Sequence, residues 1–222
     1  MVNKICLFII IILFISCQST IADNVNNWEI WHSLSIVHSL SEKNVVKFSQ
    51  EWRFRGEDTE HYYNHTDAGL KYLFTDWFDL SANFRYINSK NSKGNWVVEK
   101  RPYLEGTLKY NILGFKLSSR NRFAYRIREF SNDFWRYRNK FTLSHSLKID
   151  DFEISPYLSD EIYIENKGDN WYQPMLNRFT FGITQNFFKT LQINLFYHLQ
   201  NTKSGKIWTD KNILGLYLKY VF

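Results

Sequence analysis

The chain has 222 residues, a net charge of +6, an isoelectric point near 9.1 and 18% aromatic side chains, among them 19 Phe, 14 Tyr and 8 Trp. So aromatic a composition excludes a disordered chain, because large rings supply the apolar surface that disorder lacks and suit pleated sheets. A mean hydropathy of −0.40 with 23% charged residues fits a soluble enzyme as well as a β-barrel, so the averages exclude little else.

The first residues read as an export leader. Lys4 gives a positive start, Ile5 to Ile15 is unbroken apolar sequence, and Ser16 to Ala22 is small and polar. A run of about 7–15 apolar residues suits a signal-peptide core, whereas a spanning helix needs ~20. Cleavage after Ala22 puts Thr20 and Ala22 at the recognition positions, dividing the chain into a signal peptide, 1–22, and a mature domain, 23–222. Both cysteines, Cys6 and Cys17, fall in the leader, so the mature chain is expected to have no thiol for disulfides or metals. A rival reading makes Cys17 a lipid-bearing first residue, although Phe14 is a poor match to the position three before such a cysteine.

Strand-like segments then follow in series. Trp28–Leu40 comes first and alternates poorly, since Trp28 and Trp31 fall on opposite faces; it reads as a strand, a partial strand or a plug. Asn44–Arg55, Tyr62–Phe74, Phe78–Ser89 and Trp96–Tyr110 come next. In Phe115–Arg128, Phe115, Leu117, Phe123, Tyr125 and Ile127 share one face, and Lys116, Arg120, Arg122, Arg126 and Arg128 the other. Trp135–Lys148 repeats this pattern, followed by Phe152–Ile164, Tyr172–Asn186, Leu191–Asn201 and Trp208–Phe222. Most of these segments reach the 9–11 residues that a tilted strand needs to cross hydrocarbon, about twice the length of an ordinary strand. Tight links at 41–43, 75–77, 111–114, 149–151 and 187–190 alternate with longer ones at 56–61, 90–95, 129–134, 165–171 and 202–207, the rhythm of short periplasmic turns and longer outer loops.

These features predict an all-β fold, an antiparallel up-and-down transmembrane β-barrel of about ten to twelve strands in the bacterial outer membrane. An even number is the bacterial norm. Arg facing lipid at the midplane costs ~2–4 kcal/mol, so the charged faces are assigned to the lumen. From the first half of the chain these are Glu51, Arg53, Arg55, Arg85, Arg101, Glu105 and Lys109, with Asp67 and Glu99. Arg120, Arg122, Arg126, Arg128, Arg136, Arg138, Lys140, Glu161 and Arg178 continue the set, with Glu153. Tyr72, Phe74, Tyr110, Phe115 and Trp135 are expected in interfacial girdles. Leu214, Leu216, Leu218, Tyr220 and Phe222 alternate to the end of the chain, which resembles the signature read by the barrel-assembly machinery.

A family resemblance rests on an ordered set of short motifs. An early Trp segment leads into Gln50-Glu51-Trp52-Arg53-Phe54-Arg55, then Gly69-Leu70-Lys71-Tyr72, Arg120-Asn121-Arg122 and Arg136-Tyr137-Arg138-Asn139-Lys140. Pro156-Tyr157-Leu158-Ser159-Asp160-Glu161 and Asn177-Arg178-Phe179 complete the set. The chain resembles the uncharacterised family called domain of unknown function 2490, outer-membrane barrels of Gram-negative bacteria. The resemblance implies fold and location and brings no activity.

For function, a basic, ion-paired lumen predicts a structural or passage-related role, with a small anion-preferring pore as the sharper form. A lipid hydrolase is the other class: Ser119 and Asn121 interrupt an apolar outer face, and Ser119 would lie roughly opposite His145. His61 and His65 flank a long link where a metal site is conceivable, but no ligand spacing supports one. No cofactor, metal, catalytic centre or nucleic-acid partner is expected; the expected partners are membrane lipid and the assembly machinery, and the expected state is a monomer.

Overall fold

Period-two alternation in this chain resolves into one closed sheet. The structure, a computed structural model, describes residues 27–149, 152–166, 175–187, 190–204 and 207–222. The leader, both cysteines and the predicted strand start at Tyr172 lie outside these residues. The strands are β1 (Trp28–Ser39), β2 (Asn44–Arg55), β3 (Glu60–Leu73), β4 (Phe78–Lys90), β5 (Trp96–Ile112) and β6 (Phe115–Arg128). They continue with β7 (Phe134–His145), β8 (Leu147–Ile149), β9 (Phe152–Asn166), β10 (Leu176–Phe187), β11 (Leu191–Ser204) and β12 (Ile207–Val221). Apart from β7 and β8, which both pair with β9, each strand pairs with its sequence neighbour in an antiparallel meander, and β1 pairs with β12 to close the ring.

β7 and β8 form one stave. Both pair with β9 in a single register, Ser144 opposite Tyr157 and Leu147 opposite Ile154. The interruption lies beside Pro156, which has no N–H to give the ladder. Pro102 leaves a similar gap between the pairs Lys100–Ile127 and Tyr103–Ala124 of β5 and β6. Eleven staves therefore build the wall, an odd number where an even one is the bacterial norm. In a meander, an odd count makes the first and last staves run the same way, so the closing pair is parallel, from Trp28–Asn212 to Val37–Val221. The weakly patterned N-terminal segment is a full stave at this seam and not a plug.

One rim carries Leu40–Lys43, Phe74–Trp77, Leu113–Gly114 and Phe222; the other carries 56–59, 91–95, 129–133 and the start of β1. Leu113 (φ 50°) and Gly114 (φ 81°) form a two-residue turn between the paired Ile112 and Phe115, with positive φ at both positions, as a type I′ hairpin requires. The contrast in link length is weaker than the sequence suggests. β11 and β12 stay paired out to Ser204–Ile207, which leaves only 205–206 between them.

The outer surface is apolar around the ring. Phe48, Phe84, Leu104, Phe123, Phe141 and Phe181 are each about half exposed, as are Tyr110 and Phe74 at one rim and Trp96 and Trp135 towards the other. A water-soluble monomer rarely displays so continuous an apolar band. The interior divides in two. Staves β1, β11 and β12 contribute an apolar cluster of Trp31, Phe196 and Ile213, packed against Tyr217 and against Tyr157 of β9, while β2 to β9 contribute most of the charge.

That cluster depends on Gly215, where a Cβ would overlap the Phe196 ring. The ring cannot move aside cheaply, because His198 (4.2 Å between centroids) and Tyr217 (4.6 Å) hold it. Gly215→Val is therefore expected to destabilise the barrel by about 1–3 kcal/mol through overpacking. The check is the temperature at which the compact band converts to the unfolded band on a semi-native gel. It should fall, and an unchanged temperature would contradict this packing.

Candidate functional site in the barrel interior

Alternation turns every second residue of each stave inward, so the interior collects the charged half of the pattern. A cavity of about 470 Å³ runs from Leu176 and Gln200 at one end to Ser35 and Lys47 at the other. Glu51, Arg53, Arg85, Arg101, Arg120, Arg122, Arg126, Arg136, Arg138, Lys140, Glu161 and Arg178 line it. Glu105 lies behind this lining and pairs with Arg122 at 2.5 Å. Three of the residues assigned to the lumen sit at the rims. Arg55 pairs with Glu60 at 3.0 Å, Lys109 with Asp79 at 2.6 Å, and Arg128 donates to the backbone carbonyl of Asn132.

Most guanidinium groups are bound to particular carboxylates. Arg85 donates through Nε (2.8 Å) and a terminal nitrogen (2.5 Å) to Asp67, which also accepts the Tyr103 hydroxyl. Both Arg85 bonds end on one Asp67 oxygen, whereas Arg126 grips both oxygens of Glu99, at 2.8 and 2.5 Å, and Arg101 shares that carboxylate. Arg136 pairs with Glu165. Glu161, almost fully buried, gathers Arg120 and Arg138 at 2.7 Å, Arg178 at 3.5 Å and the Tyr163 hydroxyl at 2.9 Å. Charge-assisted, bidentate bonds of this kind are the strong ones, and removing one partner strands a buried charge. Arg53 pairs with Glu51 at 2.6 Å and lies between the rings of Trp31 and Tyr63, 3.6 and 4.1 Å from their centroids.

The pairing is not balanced. Eleven Lys and Arg side chains face the cavity among the described residues, against Glu51 and Glu161 in the lining and Asp67, Glu99, Glu105 and Glu165 behind it. In a narrow low-dielectric wall such an excess attracts anions. Lys47 belongs to this set although the sequence reading passed over it; it shares parity with Glu51 and Arg53, so the signal was available. Tyr63, Tyr103, Tyr157, Tyr163 and Tyr217 were also missed. Inward tyrosines give the arginines flat faces and hydroxyl donors, and they look the same in sequence as girdle tyrosines.

The hydrolase pairing does not form. The register sets Ser119 opposite Phe141 and His145 opposite Phe115, four residues away along the strand. Ser119 Oγ accepts from Asn139 at 3.1 Å, and His145 bonds the Gly114 carbonyl and lies tilted against the Phe115 ring. The two histidines of β3 are also parted. A bulge beside Arg53 and Phe54 sets Tyr63 opposite the first and His61 opposite the second. His65 then points inward, 3.6 Å from Glu51, while His61 lies tilted against the Phe54 and Trp96 rings. Among the described residues, no group of three His, Cys, Asp or Glu side chains could hold a metal ion.

Comparison with solved structures places the fold among known barrels. LpxR from Salmonella typhimurium superposes with a TM-score of 0.52 at 9% identity, over 80% of this chain and 83% of its own. The beta domain of the Bordetella autotransporter BrkA gives 0.50 at 10% identity, over 76% and 78%. At such identities the likeness is one of fold alone. No curated protein matches the sequence. The family model described as "Protein of unknown function (DUF2490)" matches residues 28–211, and the chain belongs to that family.

Proposed function

We propose that this chain is a monomeric bacterial outer-membrane barrel whose interior attracts small anions and lets them pass. The observation that carries the reading is the excess of Lys and Arg around an axial cavity of about 470 Å³. An ion-pair plug whose only task was to fill the wall would gain nothing from uncompensated cations, since each unpaired charge in a low-dielectric interior is costly. Eleven staves also exceed the eight at which side chains simply fill a barrel, yet fall short of the 16–18 of open porins. A narrow, selective passage suits that size.

Placement in the outer membrane is supported by the apolar outer band, the likeness to LpxR and the BrkA beta domain, and the leader read over residues 1–22. Phe222, exposed at the rim of short turns, would be offered to the barrel-assembly machinery from the periplasm. The opposite rim, with 56–59 and 91–95, then faces outward, and the odd stave count brings the start of β1 to that same side.

Two measurements test this reading. In planar bilayers under a potassium chloride gradient, the protein is expected to give small steps with a chloride-directed reversal potential, and Lys47→Glu should shift it towards potassium. Silence across many insertions, or cation preference in the parent, would overturn the passage. For orientation, an impermeant maleimide on intact cells should label Lys93→Cys and spare Glu42→Cys; the opposite pattern would invert the barrel.

A further inference from the structure

We infer that the lumen, towards the end of its cavity where Ser35 and Lys47 lie, holds a binding station for a multiply charged oxyanion of the phosphate class, formed by Lys47, Arg120 and Lys140. The inference rests on the anion-passage reading for its biological sense and not for its chemistry. Three of the arginines beside these residues are committed to carboxylates: Arg85 and Arg122 each give two nitrogens to one carboxylate, and Arg138 gives two to Glu161. Lys47 and Lys140 differ. Both line the cavity, and neither makes an ion pair or hydrogen bond among the described residues. The Lys140 ammonium lies 5.9 Å from the centroid of the Tyr157 ring.

Arg120 is the third open cation. Its side chain is 28% exposed to the cavity, against 8% for Arg122 and 11% for Arg138. It holds Glu161 at 2.7 Å through one nitrogen and only approaches Glu105 at 3.6 Å. Arg120 and Lys140 stand directly opposite each other on β6 and β7, and Lys47 of β2 lines the same cavity. An ammonium enclosed by the barrel wall without a partner needs water or an anion. A halide can answer one such charge. Two ammoniums and a half-committed guanidinium call for a dianion with several acceptor oxygens, and the compact, three-donor head of Lys suits a tetrahedral oxyanion. Ser49 and Asn194 open onto the same cavity; the Ser49 hydroxyl, and the second N–H of the Asn194 amide that accepts from Tyr157 and donates to Thr184, add neutral donors for a fourth oxygen or for an organic phosphate.

The test uses the full chain in detergent at low ionic strength, titrated calorimetrically with inorganic phosphate and, separately, with chloride. Saturable phosphate binding is expected, at least tenfold tighter than chloride. It should weaken at least tenfold in a Lys47→Gln, Lys140→Gln double variant whose semi-native gel mobility shows that it is folded. Competition by glycerol phosphate would extend the station to organic phosphates, and its failure would restrict the station to the inorganic ion. Absence of saturable phosphate binding in the parent, equal affinity for chloride, or an unchanged affinity in the folded double variant would each overturn the station. Binding does not require conduction: a barrel that binds phosphate yet stays silent in bilayers keeps the station and loses the passage.

Discussion

The structure depends on keeping charge and hydrocarbon apart. A membrane-spanning backbone has to close its own hydrogen bonds, and a ring of strands does so only if every stave finds two neighbours. Once the ring is closed, period two decides the rest. Each stave has one face for acyl chains and one for the interior, and a charged residue on the wrong face costs ~2–4 kcal/mol at mid-height. Arg122 and Arg138 line the cavity, while Phe123, one residue from Arg122, stands half exposed outside.

Closure with eleven staves has consequences of its own. The odd count forces a parallel seam between β1 and β12, and the seam lies in the part of the wall whose interior is apolar. There Phe196 lies over Gly215 and Tyr157 over Gly182, so rings fill the space that side chains at these glycines would otherwise need. On the opposite side, carboxylates distribute the arginines. Glu161 alone gathers three of them, so the interior behaves as one network whose members cannot be changed independently.

Much of this was legible in the residues. Strands with Arg on one face and Phe or Leu on the other, such as β6, betrayed both their length and their orientation, because the contrast in polarity was large. β1 resisted for a physical reason: its inward face carries Trp31 against an apolar cluster, and its outward face carries His32 and His38, so the contrast reverses locally. Stave parity could not reveal the parallel seam, since nothing in a single strand records how many others complete the ring. Lys47 obeyed the same parity as Glu51 and could have been assigned to the interior. The bulge beside Arg53 and Phe54, which sends His61 and His65 to opposite faces, had no comparable signal. Nor did the interruption after His145, where the ladder lapses opposite Pro156 of the adjacent stave.

The account stands or falls on which face of the wall meets lipid, and β7 offers the sharpest contrast because Trp135 and Phe141 point outward while Arg136, Arg138 and Lys140 point in. Site-directed spin labels placed in turn at each position from 135 to 144, in lipid vesicles, report access to membrane-dissolved oxygen. Oxygen access is expected to rise and fall with period two, high at odd positions and low at even ones. High access at 138 and 140 with protection at 139 and 141 would contradict the account.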